Sequence, residues 1–532
     1  MKKLLIPAFA FWLSCLFPSC TSTSPNHFLK EADYRNKVEA DFGQKKEILN
    51  RGNLFDIFNE DMSLEEREAM MFLYAYMTPG DISDYSGEFY LKNVRLALQN
   101  RKETSWGAGI PDMIFRHFVL PVRVNNENLD NAREVFRQEL MPRVEKLSMY
   151  DAVLEVNHWC HEKVIYTPTD IRTSAPMATV KTAYGRCGEE STFLVVALRA
   201  VGIPARQVYT PRWHILTTTM PGRSLGGRQM VLPWCLRTGT GTELRMVQCS
   251  CQQRYADAHQ SIRCIRRTGR SDENHCQLYG NQHHRQLRTE CPRHCHGVDA
   301  QGKAVEGAHV EFKIYNYAEF FTVANKTTDA QGKASLSAGL GDMVVYASAN
   351  DHFGLQKVSF GKDKEVTLTL SHRPGDVFTD TLHIVPPAEK ANFPEVTDAQ
   401  RKENNRRMAQ EDSIRNAYVA SFPTEEKAKA FAEGLKLDVN QTSTYILKSR
   451  GNHADIMQFL SNAAEKGQGA RALELLSTLA DKDLRDTPCS ILEDHLYATD
   501  AKADVKEVLA PRIATEMLTP YRTYCRKPCL PN

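Results

Sequence analysis

The chain lacks a charge excess of either sign. Its 67 lysines and arginines face 65 aspartates and glutamates, for a formal net charge of +2. A dedicated nucleic-acid-binding protein needs a basic surface, so no nucleic-acid partner is expected. A long hydrophobic run is missing as well. The most apolar stretch, Leu4 to Leu16, is too short to read as a membrane span. Cysteine is scarce over most of the length. Of the 14 cysteines, seven lie between His214 and His296, two are Cys15 and Cys20, and two fall in the last eight residues. Only Cys160, Cys187 and Cys489 remain, so no disulfide framework is evident elsewhere. What is present, 42% hydrophobic residues over 532 positions, suits several globular domains rather than disorder.

Lys2 and Lys3 precede the apolar run, and Phe17-Pro18-Ser19-Cys20-Thr21-Ser22 follows it. This order resembles a bacterial lipoprotein signal, which implies removal of residues 1–19 and a lipid on Cys20. Cys15 is the weaker candidate, and an ordinary secretory signal is the alternative. Either reading places the mature chain outside the cytoplasm. The lipid reading adds a membrane anchor, and residues 20–28 become a polar tether.

The rest divides by pattern into an α+β protein. Residues 29–149 read as helical, with a Ser-x-x-Glu capping box at Ser63-Leu64-Glu65-Glu66 and an apolar face of Met70, Met71, Leu73, Tyr74 and Tyr76. Asn128 to Leu140 and Met149 to Glu162 read as further helices. Residues 297–371 alternate in the strand period at Val310 to Tyr315, with strand-like runs at Met343 to Tyr346 and Val366 to Leu370. Asp299-Ala300-Gln301-Gly302-Lys303 recurs as Asp329-Ala330-Gln331-Gly332-Lys333, each copy a turn before a strand, which predicts a small β-sandwich. The segment resembles an immunoglobulin-like or carboxypeptidase-regulatory-like module. Residues 372–400 read as a linker. Residues 401–522 read as helical, with helices expected at Thr424 to Leu435, Ala454 to Lys466, Ala470 to Asp481 and Ala501 to Leu518.

Chemistry concentrates at Gly185-Arg186-Cys187-Gly188-Glu189-Glu190-Ser191-Thr192, which opens an apolar helical run. A thiol at a helix N-terminus faces the positive end of the dipole, which favours the nucleophilic thiolate. The run ends at Val201-Gly202-Ile203-Pro204, and Ala205 to Tyr209 is strand-like. The stretch from Thr182 to Arg206 resembles the core of transglutaminase-like proteins, because it couples the cysteine to the Gly-Ile-Pro-Ala-Arg turn at that family's spacing. The resemblance covers residues 150–213 directly. The accompanying modules fit large extracytoplasmic transglutaminase-like proteins of bacteria.

The resemblance implies a papain-like fold and triad: Cys187 on the helix, a histidine on the next strand and an acid on the strand after. It implies acyl transfer on a protein or peptide substrate, with amide hydrolysis favoured over crosslinking and no cofactor or metal. One oxyanion donor would be the Cys187 backbone N–H. Glu189 and Glu190 are expected to cap the helix and bind locally rather than act as base. His158 and His161, upstream on a helix, are expected to be structural. A non-enzymatic surface lipoprotein that binds glycan or protein is the alternative.

The histidine strand is what the sequence lacks. No histidine stands between Cys187 and His214, and Pro211-Arg212-Trp213 is where the family pattern stops. Residues 214–296 hold twelve arginines, seven cysteines and seven histidines but no lysine or phenylalanine. A zinc-binding insert is one explanation. Cys249, Cys251, Cys264, His275, Cys276, His283, His284 and Cys291 to His296 offer ligands, yet no C-x-x-C pair occurs. A reading-frame error explains more. Restoring one G after the Trp213 codon turns His214 to Gly222 into Ala-His-Thr-Asp-Asp-Asn-His-Ala-Trp, which is the missing histidine strand. Further shifted codons read Val-Glu-Val-Trp and a Gly-Lys-Trp-Tyr strand. Thr523 to Pro531 also decodes, one base shifted, to a plausible helix. Residues 214–296 are therefore expected to be out of frame and disordered, 523–532 to be an out-of-frame tail, and the sheet half of the core to be disrupted. Cys187 then stands without an identifiable histidine or acid, and activity of this chain is not expected.

Overall fold

A computed structural model describes residues 27–49, 52–170, 172–207, 291–299, 301–316, 319–338, 341–360, 362–363, 365–384 and 397–497. It gives the backbone alone at 291–296, 316, 337, 338, 400 and 401. Cys20, His214, the candidate zinc ligands from Cys249 to His284, the helix expected at Ala501 to Leu518 and the tail from 523 lie outside the described residues.

Nine α-helices lie among the described residues up to 207: α1 (Ala32–Leu49), α2 (Leu64–Tyr76), α3 (Pro79–Asp84), α4 (Gly87–Glu103), α5 (Asp112–Phe118), α6 (Ala132–Val144), α7 (Met149–Lys163), α8 (Pro176–Thr182) and α9 (Cys187–Ala200). A single hydrophobic cluster runs from Phe28 to Ala205 and joins Tyr74, Phe115, Phe136, Trp159 and Phe193. The boundary expected at 150 therefore marks no break in packing. The capping box forms as read, with Ser63 Oγ accepting from Glu66 N at 3.2 Å and Ser63 N donating to Glu66 Oε2 at 2.9 Å.

The helix expected from Asn128 begins at Ala132 instead. Asp130 is the reason: its carboxylate accepts from Ala132 N at 2.9 Å and from Met177 N at 2.7 Å. An acid that ties two segments together holds residues 128–131 in a turn, and burial pushes its carboxyl up to about 6.

Two short parallel strands, β1 (Ile165–Tyr166) and β2 (Tyr184–Gly185), lead into α9. Seven more strands make two sheets: β3 (Cys291–Val298), β4 (His309–Asn316), β5 (Glu319–Thr327), β6 (Lys333–Ala338), β7 (Gly341–Ala349), β8 (His352–Phe360) and β9 (Glu365–Thr369). Their orders are β6-β3-β9 and β5-β4-β7-β8. One core joins both sheets, with Val310, Phe312, Val345 and Val358 from the second meeting Ala334, Val366 and Leu368 from the first. The alternation read at Val310 to Tyr315 is what points these side chains inward.

The repeated pentapeptides build the same turn twice. Asp299 Oδ1 accepts from Gln301 N at 2.9 Å and Lys303 N at 2.8 Å; Asp329 Oδ1 does so from Gln331 N at 3.0 Å and Lys333 N at 2.8 Å. Gly302 and Gly332 take positive φ, 81° and 71°, where a side chain is disfavoured. One expectation is corrected here. Strand β3 begins at Cys291, inside the segment expected to be disordered to 296, because its backbone pairs antiparallel with β6 and parallel with β9.

The C-terminal region holds α10 (Asp398–Ala420), α11 (Glu425–Gly434), α12 (Val439–Ser449), α13 (His453–Glu465), α14 (Gly469–Ser477), α15 (Asp481–Leu484) and α16 (Cys489–Tyr497). α10 starts three residues before the expected boundary at 401. The helix read as Ala470 to Asp481 is two helices, because Ala480 N donates to the Asp483 carboxylate at 3.3 Å and starts α15 afresh. Ile446, Phe459, Leu460 and Leu476 form its own core. Among the described residues, no helix is long and apolar enough to cross a membrane.

Candidate active site

Cys187 is the first residue of α9, and its thiol is exposed and unpaired with another cysteine. Beyond this first turn the helix is buried all round. Phe193, Val195, Ala197, Leu198 and Ala200 are each 1% exposed or less. A helix apolar on every face must be enclosed, and helices α4, α6, α7 and α8 enclose it. The Phe193 ring lies parallel to Trp159 at 5.4 Å and meets Phe136 edge-on at 4.9 Å. Such packing fixes the axis of α9 and therefore the position of its first residue.

The Gly-Ile-Pro-Ala-Arg turn fixes the other end. Gly202 has φ of 76°, and a Cβ there would lie 2.9 Å from Asn100 Cβ. Asn100 Nδ2 donates to Ala200 O at 2.8 Å, and Trp106 Nε1 donates to Val201 O at 3.3 Å. Buried Arg199 donates to Phe118 O and Ala205 O, each at 3.0 Å, and to Pro121 O at 2.9 Å. Only glycine accepts both this φ and the close approach.

Around the first turn, β1 and β2 place Tyr166 opposite Gly185, and Thr167 N donates to Gly185 O at 2.8 Å. Burial raises the Tyr166 hydroxyl, with the neighbouring Cys187 and Glu190 adding to the effect. Gln207 follows the turn and reaches back, its Nε2 donating to Gly188 O at 3.4 Å and to Ser191 Oγ. Asn125 Nδ2 holds the Gln207 carbonyl at 2.6 Å.

The two glutamates part company. Glu189 is 2% exposed, and its Oε1 accepts from Lys482 Nζ at 2.6 Å and from Ser174 N at 3.3 Å. Local binding alone was expected; the ion pair instead crosses to α15, far along the chain. Glu190 lies one turn beyond Cys187. Burial, with the Glu189 charge adding, pushes its carboxyl up to about 8, so it carries a proton at neutral pH.

Residues 138–235 match the family model of the transglutaminase-like superfamily. The chain carries a transglutaminase-like core. The match contains Cys187 and the Gly-Ile-Pro-Ala-Arg turn. It begins before the expected boundary at 150 and runs past Trp213 into the segment expected to be out of frame. No curated protein matches the chain.

Within the described part of this core, no side chain hydrogen-bonds to the Cys187 thiol. His158 and His161 pair with α10: their Nδ1 atoms lie 2.6 and 2.8 Å from the two oxygens of Glu411. Among the described residues no cluster of histidine, cysteine, aspartate and glutamate could hold a metal. Lys482, Asp170, Arg172 and Gln207 were not singled out from sequence. Gln207, just past the family turn, had a local signal; Lys482 had none.

Proposed function

We propose that the transglutaminase-like core descends from a cysteine acyl-transfer enzyme of the bacterial envelope, held to the membrane by a lipid on Cys20. The observation that carries the reading is the exposed Cys187 at the first position of a rigidly packed helix. Its thiolate attacks a carboxamide or peptide carbonyl, forming a C–S bond and a tetrahedral oxyanion. The Cys187 backbone N–H, in the first turn of the helix, would donate to that oxygen. The C–N bond then breaks, the amine leaves with a proton, and the thioester is cleaved by water or by a second amine. Hydrolysis is favoured over crosslinking, on a protein or peptide substrate. The sandwich, read as an immunoglobulin-like or carboxypeptidase-regulatory-like module, and the C-terminal helices act as spacers or docking units.

In this chain the proton-transferring histidine and its acid are missing from the described site, and the frame error supplies the reason. The chain as it stands is then inactive, which also favours the second reading, a non-enzymatic envelope lipoprotein. Resequencing across the Trp213 codon tests the frame, and an intact frame for the present residues sinks it. Activity is tested on the present and frame-restored chains with glutamine peptides, following ammonia release, amine incorporation and a peptide adduct at Cys187. Turnover with an adduct only after restoration supports the proposal; neither in either chain refutes it.

A further inference from the structure

Lys482 occupies an unusual position for a lysine. Its side chain is 6% exposed, and its Nζ lies 2.6 Å from Glu189 Oε1, 3.0 Å from Asp170 Oδ1 and 3.2 Å from Asp170 O; it also donates to Arg172 O. Burying an ammonium costs several kcal/mol unless acceptors replace its water, and these oxygens do so. Glu189 stands in the first helical turn, which Cys187 opens. Arg186, the residue before Cys187, donates from Nε to the same Asp170 O at 2.8 Å and from Nη2 to Thr173 Oγ1 at 3.3 Å. It also pairs with Glu189 Oε2 at 3.5 Å. Next to Lys482, Asp483 takes Arg172 Nη1 at 2.6 Å. Asp170, Arg172, Thr173, Ser174, Arg186 and Glu189 are thus held as one unit by a short helix from the C-terminal region.

We propose that Lys482 is a positioning residue for Cys187. It rests on the reading of Cys187 as the nucleophile. Residues two apart on a helix point to nearly opposite sides, so the thiol faces out while Glu189 faces in beneath it. Lys482 neutralises that carboxylate and locks the turn that presents the thiol. The titratable and charged groups facing Glu189 are Arg186 and Glu190 from its own segment and Lys482 from α15; those facing Lys482 are Asp170 and Glu189; Tyr166 on β1 stands near both Cys187 and Glu190. No residue of the C-terminal region touches the reacting atoms in this scheme. The region acts on the site through the buried charge of Lys482, with Asp483 holding Arg172 beside it.

The test uses the full chain and iodoacetamide, with the rate of Cys187 alkylation followed by peptide mass spectrometry from pH 6 to 10. Removing the lysine charge leaves Glu189 with only the longer Arg186 pair at 3.5 Å, and a nearby like charge disfavours the thiolate. Lys482→Met moves the half-maximal pH up by about 0.5–1 unit, and Glu189→Gln moves it down by a similar amount. Lys482→Arg keeps the original profile, and the double variant K482M/E189Q returns towards it. A purely structural lysine would lower the melting temperature without these opposite shifts. Should K482M fail to fold, the E189Q and K482R profiles decide alone. Superimposable profiles for the original chain and E189Q, or for the original chain and K482M, overturn the proposal. Alkylation needs no turnover, so absent amidase activity would refute the proposed function without touching this result.

Discussion

Glu411 Oε1 lies 2.6 Å from His158 Nδ1 and so joins α10 to α7 across 253 positions of sequence. The second oxygen of the same carboxylate serves His161, and Arg407 Nε stands 3.8 Å away. The acid itself is 3% exposed. One buried carboxylate thus joins the C-terminal helices to α7, in the helix layer that packs on α9.

Replacing Glu411 by alanine leaves those donors facing an empty site. Breaking a buried pair in this way costs about 3 kcal/mol. Thermal unfolding should show the loss, and hydrogen exchange should rise across 398–420 and 149–163 before it rises around Phe136. Unchanged protection in α10 would count against the role of this contact.

Thiol labelling should separate the described cysteines. Cys187 is exposed, whereas burial lifts the Cys160 thiol well above its ordinary range and that of Cys489 to about 11. At pH 7.5 iodoacetamide should modify Cys187 at least about tenfold faster than either, since the thiolate is the reactive form. Cys187→Ala should abolish the fast phase. Equal rates for all three would contradict the assigned environments.

Glu190 makes stability fall as pH rises. Its carboxyl is lifted to about 8, above the ordinary 4.5, so the folded state holds the proton more tightly than the unfolded chain. The protonated form is tolerated below pH 4.5. Stability then declines through the interval up to about pH 8, where the folded state must accept the charge. Glu190→Gln should remove this slope and stabilise the protein by roughly 1–3 kcal/mol at pH 8, with little change at pH 4. Melting curves at the two pH values supply the comparison.

The twin turns of the sandwich should respond unequally. Both glycines have positive φ, but a Cβ on Gly302 meets open space, whereas one on Gly332 would lie 2.7 Å from Gly297 O. Gly302→Ala should cost about 1 kcal/mol, the backbone penalty alone. Gly332→Ala should cost about 2 kcal/mol or more, since backbone must also move. Chemical denaturation of the two variants measures the difference.

Much of the local organisation was legible in the residues. Ser63 and Glu66 announced their helix start because a capping box is closed within one turn. The Asp-Ala-Gln-Gly-Lys repeats announced their turns because an aspartate can bond the amides just ahead of it only when a glycine permits the bend. Cys187 at a helix start, and its coupling to Gly202, were readable for the same reason. The helix misplaced at Asn128 shows the limit. Asp130 serves Met177 as well as Ala132, and the distant partner leaves no trace near residue 130.

The sequence by itself determined the cysteine at the helix start, the turn that closes its helix and the family these imply, since each depends on contacts within a few residues. Tertiary structure alone decided that Lys482 lies beneath Cys187's turn, that Glu411 takes two histidines and that Glu190 keeps its proton. Those outcomes depend on burial and on charges brought together from opposite ends of the chain. Coulomb and desolvation energies follow distance in space, and distance in sequence does not encode it.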